Sequence, residues 1–285
     1  MYPRVTVSLT GGLGNQMFQY SAARALSLKN SVPLYLDASW YLRKFRPTVN
    51  TNRNYELGNF THLANSNVIW PFPLPTKIAS GRSFFKNERV IKSEITQPVQ
   101  LSRETIDQPV RMTGTWQNSD YFSKIRTELI SEFKVDETPE ILSNPDFLAS
   151  HSNNTVAMHV RRGDYATHEP RPWSNQCLPI QYFQDALEFA SNTVTIEKVL
   201  IVSDDPEWCR ENFKGQMFHI AAASNTAIMD FQLLKNCRDH IISNSTFSWW
   251  AAWLGESGSR LVIAPKQWYH NGHGFASIPN YWVTL

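Results

Sequence analysis

The first forty residues contain a segment of alternating apolar and polar positions, then a segment of helical period, and then a second short apolar segment. Residues 4–10 alternate and are rich in Val and Thr, which predicts a β-strand. The turn Gly11-Gly12-Leu13-Gly14 follows, and from residue 15 to 29 the apolar side chains recur at helical spacing. A second strand at residues 32–36 ends at Asp37. This β-α-β unit predicts a parallel sheet with right-handed crossovers.

A more regular alternation of strands and helices begins at residue 155. Short apolar runs predict strands at residues 155–161, 198–203, 218–221, 241–242 and 261–264. Helical patterns lie between them at residues 180–193, after Pro206, at 227–236 and at 246–254. Strands and helices in alternation with short links predict a doubly wound domain.

The region between these two halves is harder to assign. Prolines at positions 47, 71, 73, 75 and 109 predict long loops around a few short elements in residues 40–115. Residues 121–133 have the spacing of an amphipathic helix, and the Pro- and Asn-rich stretch 137–154 is the best candidate for a domain boundary. We therefore predict an α/β protein with two domains, residues 1–150 and 151–285.

Composition is that of an ordinary globular protein. Of 285 residues, 42% are hydrophobic and 18% are charged. The formal net charge of +2 gives no general electrostatic reason to expect nucleic-acid binding. Cys177, Cys209 and Cys237 are widely spaced, which indicates reduced thiols and neither a disulfide framework nor a zinc site. The sequence shows no signal-peptide pattern and no apolar run of about 18 residues, so the expected location is the cytoplasm.

Charged residues interrupt the apolar pattern at the end of the strand predicted over residues 155–161. The segment 159–165 reads HVRRGDY and places Arg161, Arg162 and Asp164 at the carboxyl end of that strand, where open α/β sheets bind ligands. Guanidinium groups match phosphate oxygens two at a time. The segment therefore indicates a site for a phosphorylated ligand, and an Arg–Asp salt bridge that fastens a loop is the alternative.

A second polar segment lies where a later strand leads into a helix. Residues 243–250 read SNSTFSWW, and the hydroxyl groups of Ser245 and Thr246 together with free backbone N–H groups can bind an anion there. A simple helix cap, which needs only one of these residues, is the alternative. In combination with the two arginines, the segment is a plausible pyrophosphate site.

Carboxylates supply the remaining candidates. Asp230 lies in an otherwise apolar helical stretch, where it could accept two hydrogen bonds from a guanine base or pair with an arginine. Asp204 and Asp205 end a strand and could orient a ribose, a sugar or Arg161, and a helix-capping role is equally open for Asp205.

The glycine turn has its own alternative. Gly12 and Gly14, with Asp37 at the end of the second strand, resemble the opening of a dinucleotide-binding fingerprint. Met17 stands where that fingerprint has its third glycine. A nicotinamide-dependent enzyme is therefore a weak alternative.

Three long motifs occur in order along the chain: GGLGNQMFQY at residues 11–20, HVRRGDY at 159–165 and SNSTFSWW at 243–250. With these motifs the sequence resembles the α-1,2-fucosyltransferases of glycosyltransferase family 11, and especially the short bacterial members that lack a membrane anchor. The resemblance extends from residue 7 to about residue 265. Residues 40–115 give no usable match.

The resemblance implies a GT-B architecture, in which two Rossmann-like domains face each other across a cleft. Residues 1–150 would lie on the acceptor side and residues 151–285 would bind the donor. It also implies GDP-fucose as donor, inverting transfer to the 2-hydroxyl of a terminal galactoside, and neither a cofactor nor a required metal. The implied acceptor is a galactose-terminated oligosaccharide or lipid-linked glycan of lipopolysaccharide biosynthesis, with at most peripheral contact with the inner membrane.

The same resemblance assigns roles to individual residues. Arg161 is expected to hold the β-phosphate and Arg162 the nucleotide, while Asp230 reads guanine. The other residues expected in the donor site are His159, Asp205, Ser245, Thr246, Phe247, Gly12 and Gly14.

Catalysis is expected to involve Arg161, Asp164 and Asn15. Asp164 is the expected general base, although it could instead serve to orient the arginines. Asn15 could position the acceptor or the donor, and His159 and Glu169 are further candidates for the base. A fucosyltransferase of another linkage or with a protein acceptor, and a non-catalytic nucleotide-sugar-binding protein, are the alternative functions.

Overall fold

Two β-sheets made of parallel strands organise the chain in the computed structural model. The structure describes residues 2–42, 53–64, 67–69, 88–93, 99–152, 154–167, 174–255, 260–273, 275 and 277–285. The chain divides into two compact units, Met1–Lys134 and Val135–Leu285, with one sheet in each. No helix within these ranges is long and apolar enough to cross a membrane.

The first unit is built on a five-stranded sheet with the strand order β3-β2-β1-β5-β4. Its strands are β1 (Arg4–Ser8), β2 (Leu34–Asp37), β3 (Asn67–Ile69), β4 (Arg89–Ser93) and β5 (Pro109–Gly114). Its α-helices are α1 (Leu13–Asn30) and α2 (Arg126–Glu132). The core forms where α1 packs against β1, because Val5, Val7, Met17 and Phe18 are all fully buried.

The second unit contains a six-stranded sheet with the strand order β11-β10-β9-β6-β7-β8. Its strands are β6 (Thr155–Val160), β7 (Lys198–Ser203), β8 (Phe218–Ile220), β9 (Asp239–Ile241), β10 (Val262–Ala264) and β11 (Val283–Thr284). Its helices are α3 (Pro139–Leu142), α4 (Pro145–Ser150), α5 (Gly163–Thr167), α6 (Ile180–Thr193), α7 (Pro206–Asn212), α8 (Ala227–Asn236) and α9 (Thr246–Leu254). Every residue of β6 is buried, as expected of a central strand in a sheet covered on both faces.

The strand order locates the ligand-binding edge of the second sheet. Counted from β6, its order is 3-2-1-4-5-6, the classic order of doubly wound nucleotide-binding domains. The direction of winding reverses between β6 and β9, and in such sheets ligands bind beyond the carboxyl ends of the strands at this reversal. A ligand-binding site is therefore expected among the residues that follow β6 and β9.

The predicted α/β class with parallel sheets is confirmed, and the helices predicted at 180–193 and 227–236 have those bounds. The stretch 121–133 contains the last residue of one 3-10 turn (Ser119–Tyr121) and all of a second (Ser123–Ile125) before α2, so only its second half is α-helical. The strands β3 and β4 lie in the region that the sequence left unassigned. The chain divides after Lys134 and not after residue 150, because α4 packs against α8 and β6 and so belongs with the second unit.

Gly114 allows a stability prediction because it combines a φ of +109° with an approach too close for a side chain. A Cβ atom there would lie 2.2 Å from the carbonyl oxygen of Ser93 on the neighbouring strand β4. Gly114→Ala is therefore expected to lower the free energy of unfolding by about 2–5 kcal/mol, from backbone strain together with overpacking.

Gly215→Ala is the matched control, since Gly215 has a φ of +112° and no atom within 4 Å of a Cβ. It should lose only the backbone contribution of about 1–2 kcal/mol. Urea unfolding of both variants measures the difference. Equal losses in the two variants would show that the approach to Ser93 costs nothing.

Candidate functional site

The carboxyl ends of β6, β7 and β9 meet at the reversal in the second sheet. β6 pairs with β7 on one side and with β9 on the other. The strands lead directly into Arg161 and Arg162 after β6, Asp204 and Asp205 after β7, and Ser243 to Ser245 after β9. Segments separated by up to about 80 residues in the sequence are thus brought to one edge, as the polar patterns predicted.

Arg161 is held by two carboxylates. Its guanidinium group forms ion pairs with Asp164, one helical turn away, and with Asp204, whose Oδ2 lies 2.9 Å from Nη1. Burial alone would lower the pKa of Arg161, but Asp204 and Asp164, with Tyr165, outweigh it and raise the pKa above its ordinary value. The guanidinium plane also lies over the Tyr165 ring, 5.4 Å from its centroid. Arg161 is therefore a permanent, oriented cation with 19% of its side chain exposed.

Arg162 is oriented by a different carboxylate and by an aromatic ring. Its Nε donates to Asp205 at 3.1 Å, and its backbone N–H donates to Asp204 at 2.9 Å. Its guanidinium group stacks on the Trp208 ring at 4.2 Å. Asp205 also caps α7 by accepting from the Trp208 N–H. Asp205 therefore both caps a helix and orients an arginine, and that arginine is Arg162.

His159 lies beneath the arginines as a neutral ring. Its Nδ1 lies 2.8 Å from the Ser243 hydroxyl, which joins the ends of β6 and β9. Burial, followed by the neighbouring Arg161, lowers the pKa of His159 to about 3. The Phe247 ring packs 5.7 Å from it. A buried ring with such a low pKa is a poor proton acceptor at neutral pH, so the geometry favours a positioning role for His159.

The amino end of α9 lies at the same edge. Ser245 occupies the N-cap position, but its side chain makes no capping hydrogen bond, and the first turn contains no acidic residue. The helix dipole therefore makes this end of α9 electropositive, and no acidic side chain in the first turn offsets it. This is the arrangement expected of an anion site, and the simple serine cap is not what the structure shows.

Asp230 lies on α8, and one of its carboxylate oxygens has no hydrogen-bond partner among the described residues. Its Oδ1 is buried and makes no hydrogen bond in the described part of the chain. Burial raises the pKa of Asp230 to about 7; a hydrogen bond from Asn225 opposes the rise and the charge of Asp146 adds to it. Asp146 itself accepts from His219, Asn225 and the Ala222 N–H. A carboxylate with an unused, buried acceptor suits a ligand that brings its own N–H donors.

The glycine turn lies in the first unit, on the other sheet. Gly12 is the N-cap of α1 and Gly14 is buried in its first turn. The Leu13 N–H that would meet a phosphate already donates to Glu56 at 3.0 Å. The Asn15 side chain accepts from Gln117 at 2.9 Å. The expected donor residues therefore all belong to the second unit, except Gly12 and Gly14. Glu169, a candidate for the general base, lies outside the described residues.

Comparison with known proteins adds to this geometry. Residues 98–281 match Glycosyl transferase family 11. The chain belongs to this family.

Similar proteins cover almost the whole chain. An alpha-1,2-colitosyltransferase from Escherichia coli is 28% identical, over 99% of this chain and 98% of the relative. The rabbit (Oryctolagus cuniculus) galactoside alpha-(1,2)-fucosyltransferase 2 is 25% identical, over 91% of this chain and 69% of the relative. Among solved structures, the fucosyltransferase NodZ from Bradyrhizobium matches with a TM-score of 0.50 at 16% identity, over 88% of this chain and 92% of NodZ. The two parallel sheets and this likeness confirm the GT-B class of fold.

Sequence reasoning missed three side chains of this family 11 glycosyltransferase. Tyr165 and Trp208, which pack on the arginines, follow the charged motifs closely, so aromatic residues next to those motifs were the available signal. Glu56 reaches the glycine turn from 43 residues away. The local sequence pattern around Glu56 does not predict that contact.

Asp230 yields a prediction on stability and pH. Its pKa in the folded protein is about 7 against an ordinary value of 3.8, so folding favours the protonated form, and the free energy of unfolding falls as pH rises between these values. Asp230→Asn removes this loss. The variant is expected to be more stable than the parent protein by on the order of 1–3 kcal/mol at pH 8.

Urea unfolding at pH 8 and pH 4.5 tests this expectation, because the difference in stability should shrink to about a quarter of its pH 8 value at the lower pH. Contributions from His159 and other groups cancel in the comparison. A variant that is less stable than the parent at pH 8 would show that the Asp230 carboxylate is satisfied in the free protein.

Proposed function

We propose that the chain transfers L-fucose from GDP-fucose to the 2-hydroxyl of a terminal galactoside, with inversion at the anomeric carbon. The observation that carries the proposal is the pair Arg161 and Arg162 beside the uncapped end of α9, at the reversal of a nucleotide-binding sheet. The relative named galactoside alpha-(1,2)-fucosyltransferase 2 supports the choice of reaction.

The donor is proposed to lie along the carboxyl edge of the second sheet. The diphosphate would contact Arg161, Arg162 and the N–H groups at the start of α9, where Ser245, Thr246 and Phe247 lie. These cations and dipoles would neutralise the diphosphate in place of a metal ion. The guanine would meet Asp230, whose unused oxygen can accept from the base.

The proposed chemistry is a single in-line displacement. The acceptor hydroxyl attacks the anomeric carbon while GDP departs from the opposite face, and negative charge builds on the β-phosphate. Arg161, placed to contact that phosphate, contributes more in the transition state than in the ground state, and only such a difference accelerates the reaction. Two roles were considered for Asp164, general base and orientation of the arginines. Its ion pair with Arg161 supports the second role.

A second donor sugar has a specific observation in its favour. The relative named alpha-1,2-colitosyltransferase covers nearly the whole chain at 28% identity. Colitose transfer is therefore the alternative reaction, and it would use the same nucleotide contacts. A non-catalytic nucleotide-sugar-binding protein would share these contacts and release no GDP in response to any acceptor.

The first test measures GDP release from GDP-fucose in the presence of EDTA, with and without lactose or N-acetyllactosamine. Acceptor-dependent release is expected, with fucose found on galactose O2 by product analysis. GDP-colitose is assayed in parallel to identify the donor sugar. Binding of GDP without turnover on either donor would leave the nucleotide site intact and reject the transferase proposal for galactosides.

Replacement of Arg161 tests the phosphate contact. Arg161→Ala is expected to lower kcat by about 10²–10³-fold, the usual loss when one charge-stabilising donor is removed. Arg210→Ala is the matched control, because Arg210 forms an exposed ion pair with Glu207 on α7 of the same unit. Steady-state kinetics of both variants are compared with the parent enzyme. Near-normal turnover of Arg161→Ala would remove Arg161 from the mechanism.

A further inference from the structure

Four polar side chains in the described part of the second unit form a network that ends at Asp230. The other three are Asp146 on α4, His219 on β8 and Asn225 in the turn that joins β8 to α8. The helix α4 packs against α8. Because β6, β7 and β8 are parallel, this turn lies at the same edge of the sheet as the two arginines. The network therefore adjoins the proposed nucleotide site within one unit.

Asp146 is the fixed anion of this network, and only 6% of it is exposed. Its Oδ1 pairs with His219 Nε2 at 2.7 Å, and its Oδ2 accepts from the Ala222 N–H at 2.8 Å and from Asn225 Nδ2 at 2.9 Å. Burial alone would raise the pKa of Asp146, but these hydrogen bonds and the charge of His219 outweigh it and lower that pKa. Asp146 is therefore a charged carboxylate with both oxygens occupied, and it organises its neighbours.

Asn225 connects Asp146 to Asp230. Its backbone N–H donates to the Ala222 carbonyl at 3.1 Å and closes the turn, while its side-chain oxygen accepts from Asn144 at 3.4 Å. Because Asp146 can only accept hydrogen bonds, Asn225 must point its NH₂ group toward that carboxylate. Asn225 also donates to Asp230. A primary amide has two N–H groups, so this one side chain can hold two carboxylates in place.

The network leaves one oxygen of Asp230 open. Thr226 caps α8 by accepting from the Met229 N–H, which holds the helical turn that carries Asp230. Across the part of the chain that the structure describes, Asp230 Oδ1 is buried and has no hydrogen-bond partner. A buried acceptor without a donor costs free energy, and a carboxylate that served only the fold would not retain one. The open oxygen therefore indicates a ligand that supplies its own N–H group.

The purine bases differ in the donors that they can offer to such a carboxylate. Guanine presents two neighbouring donors on one edge, its N1–H and its 2-amino group. Hypoxanthine keeps the N1–H but lacks the amino group, and adenine has an acceptor at N1. A carboxylate held in one orientation can distinguish these bases, because a polar group left without its partner in the complex costs binding free energy.

We propose that Asn225, held by Asp146, positions the Asp230 carboxylate for the N1–H and the 2-amino group of guanine, and that this network makes the site selective for guanine among the purine nucleotides. The inference rests on the proposed GDP-linked donor. Asn225 and Asp146 are positioning residues, since they act on the base through Asp230.

Isothermal titration with GDP and IDP, which differ only in the 2-amino group, measures this selectivity. The parent protein is expected to bind GDP about 10–100-fold more tightly than IDP, the usual effect of one hydrogen bond to a charged group. Asn225→Ala should weaken GDP binding and reduce the preference for GDP by at least about fivefold. Asn192→Ala, at an exposed position on α6 of the same unit, is the matched control and should keep the preference of the parent protein.

The variant Asp230→Asn separates a positioning role from a structural one. Because Asn225 acts through Asp230, adding Asn225→Ala to Asp230→Asn should change the GDP preference by less than about twofold. A structural loss would weaken the binding of both nucleotides in either background.

Asn225→Ser is measured as well, in case Asn225→Ala does not fold. A serine suits the turn, but its one hydroxyl proton cannot serve both carboxylates. It should therefore reduce the preference for GDP in the same direction as Asn225→Ala.

The outcomes separate the inference from the function on which it rests. A parent protein that binds GDP and IDP equally, or folded Asn225 variants that keep the parent preference within about twofold, would overturn the inference and leave fucose transfer untouched. An equal effect of Asn225→Ala with and without Asp230→Asn would show a structural role and overturn it as well. A parent protein that binds neither nucleotide would reject the GDP-linked donor and the inference together.

Discussion

The arrangement at the second sheet depends on keeping two adjacent guanidinium groups together at the end of one strand. Like charges this close and half-buried repel each other unless carboxylates compensate them. Asp204 meets Arg161 from the end of β7, and Asp205 meets Arg162. Gly163 leaves room for the Asp204 carboxylate in this position, since a Cβ at residue 163 would force that carboxylate to shift. Strand pairing, the two ion pairs and the glycine at position 163 thus together fix the positions of the two arginines.

The same constraint explains why the other donor groups lie where they do. The pairing of β6 with β7 brings the aspartates to the arginines, and its pairing with β9 brings His159 to Ser243 and the start of α9 beside them. Asp230 belongs to the helix that precedes β9, and α8 packs against α9. The candidate site is therefore assembled from consecutive strand–helix units of one sheet. This is why motifs spread over nearly a hundred residues can serve one ligand.

The sequence predicted the second unit well because its elements are regular. The apolar runs of β6 and β7 and the proline that opens α7 each carry a local signal, and the polar residues at strand ends mark the binding edge. The short strands β3 and β4 carry little signal of their own, since three to five residues of mixed polarity do not define a period. Glu56 was missed for another reason. It contacts the Leu13 N–H across 43 residues of sequence, and spacing along the chain does not encode such a contact.

The charge balance around the arginines has a consequence for the end of the catalytic cycle. Two guanidinium groups, Arg161 and Arg162, face three carboxylates, Asp164, Asp204 and Asp205, so the group carries one net negative charge. In the proposed reaction the free nucleotide product is more negative than the donor that entered. A surplus of positive charge would retain that product, whereas oriented but already compensated cations favour its escape.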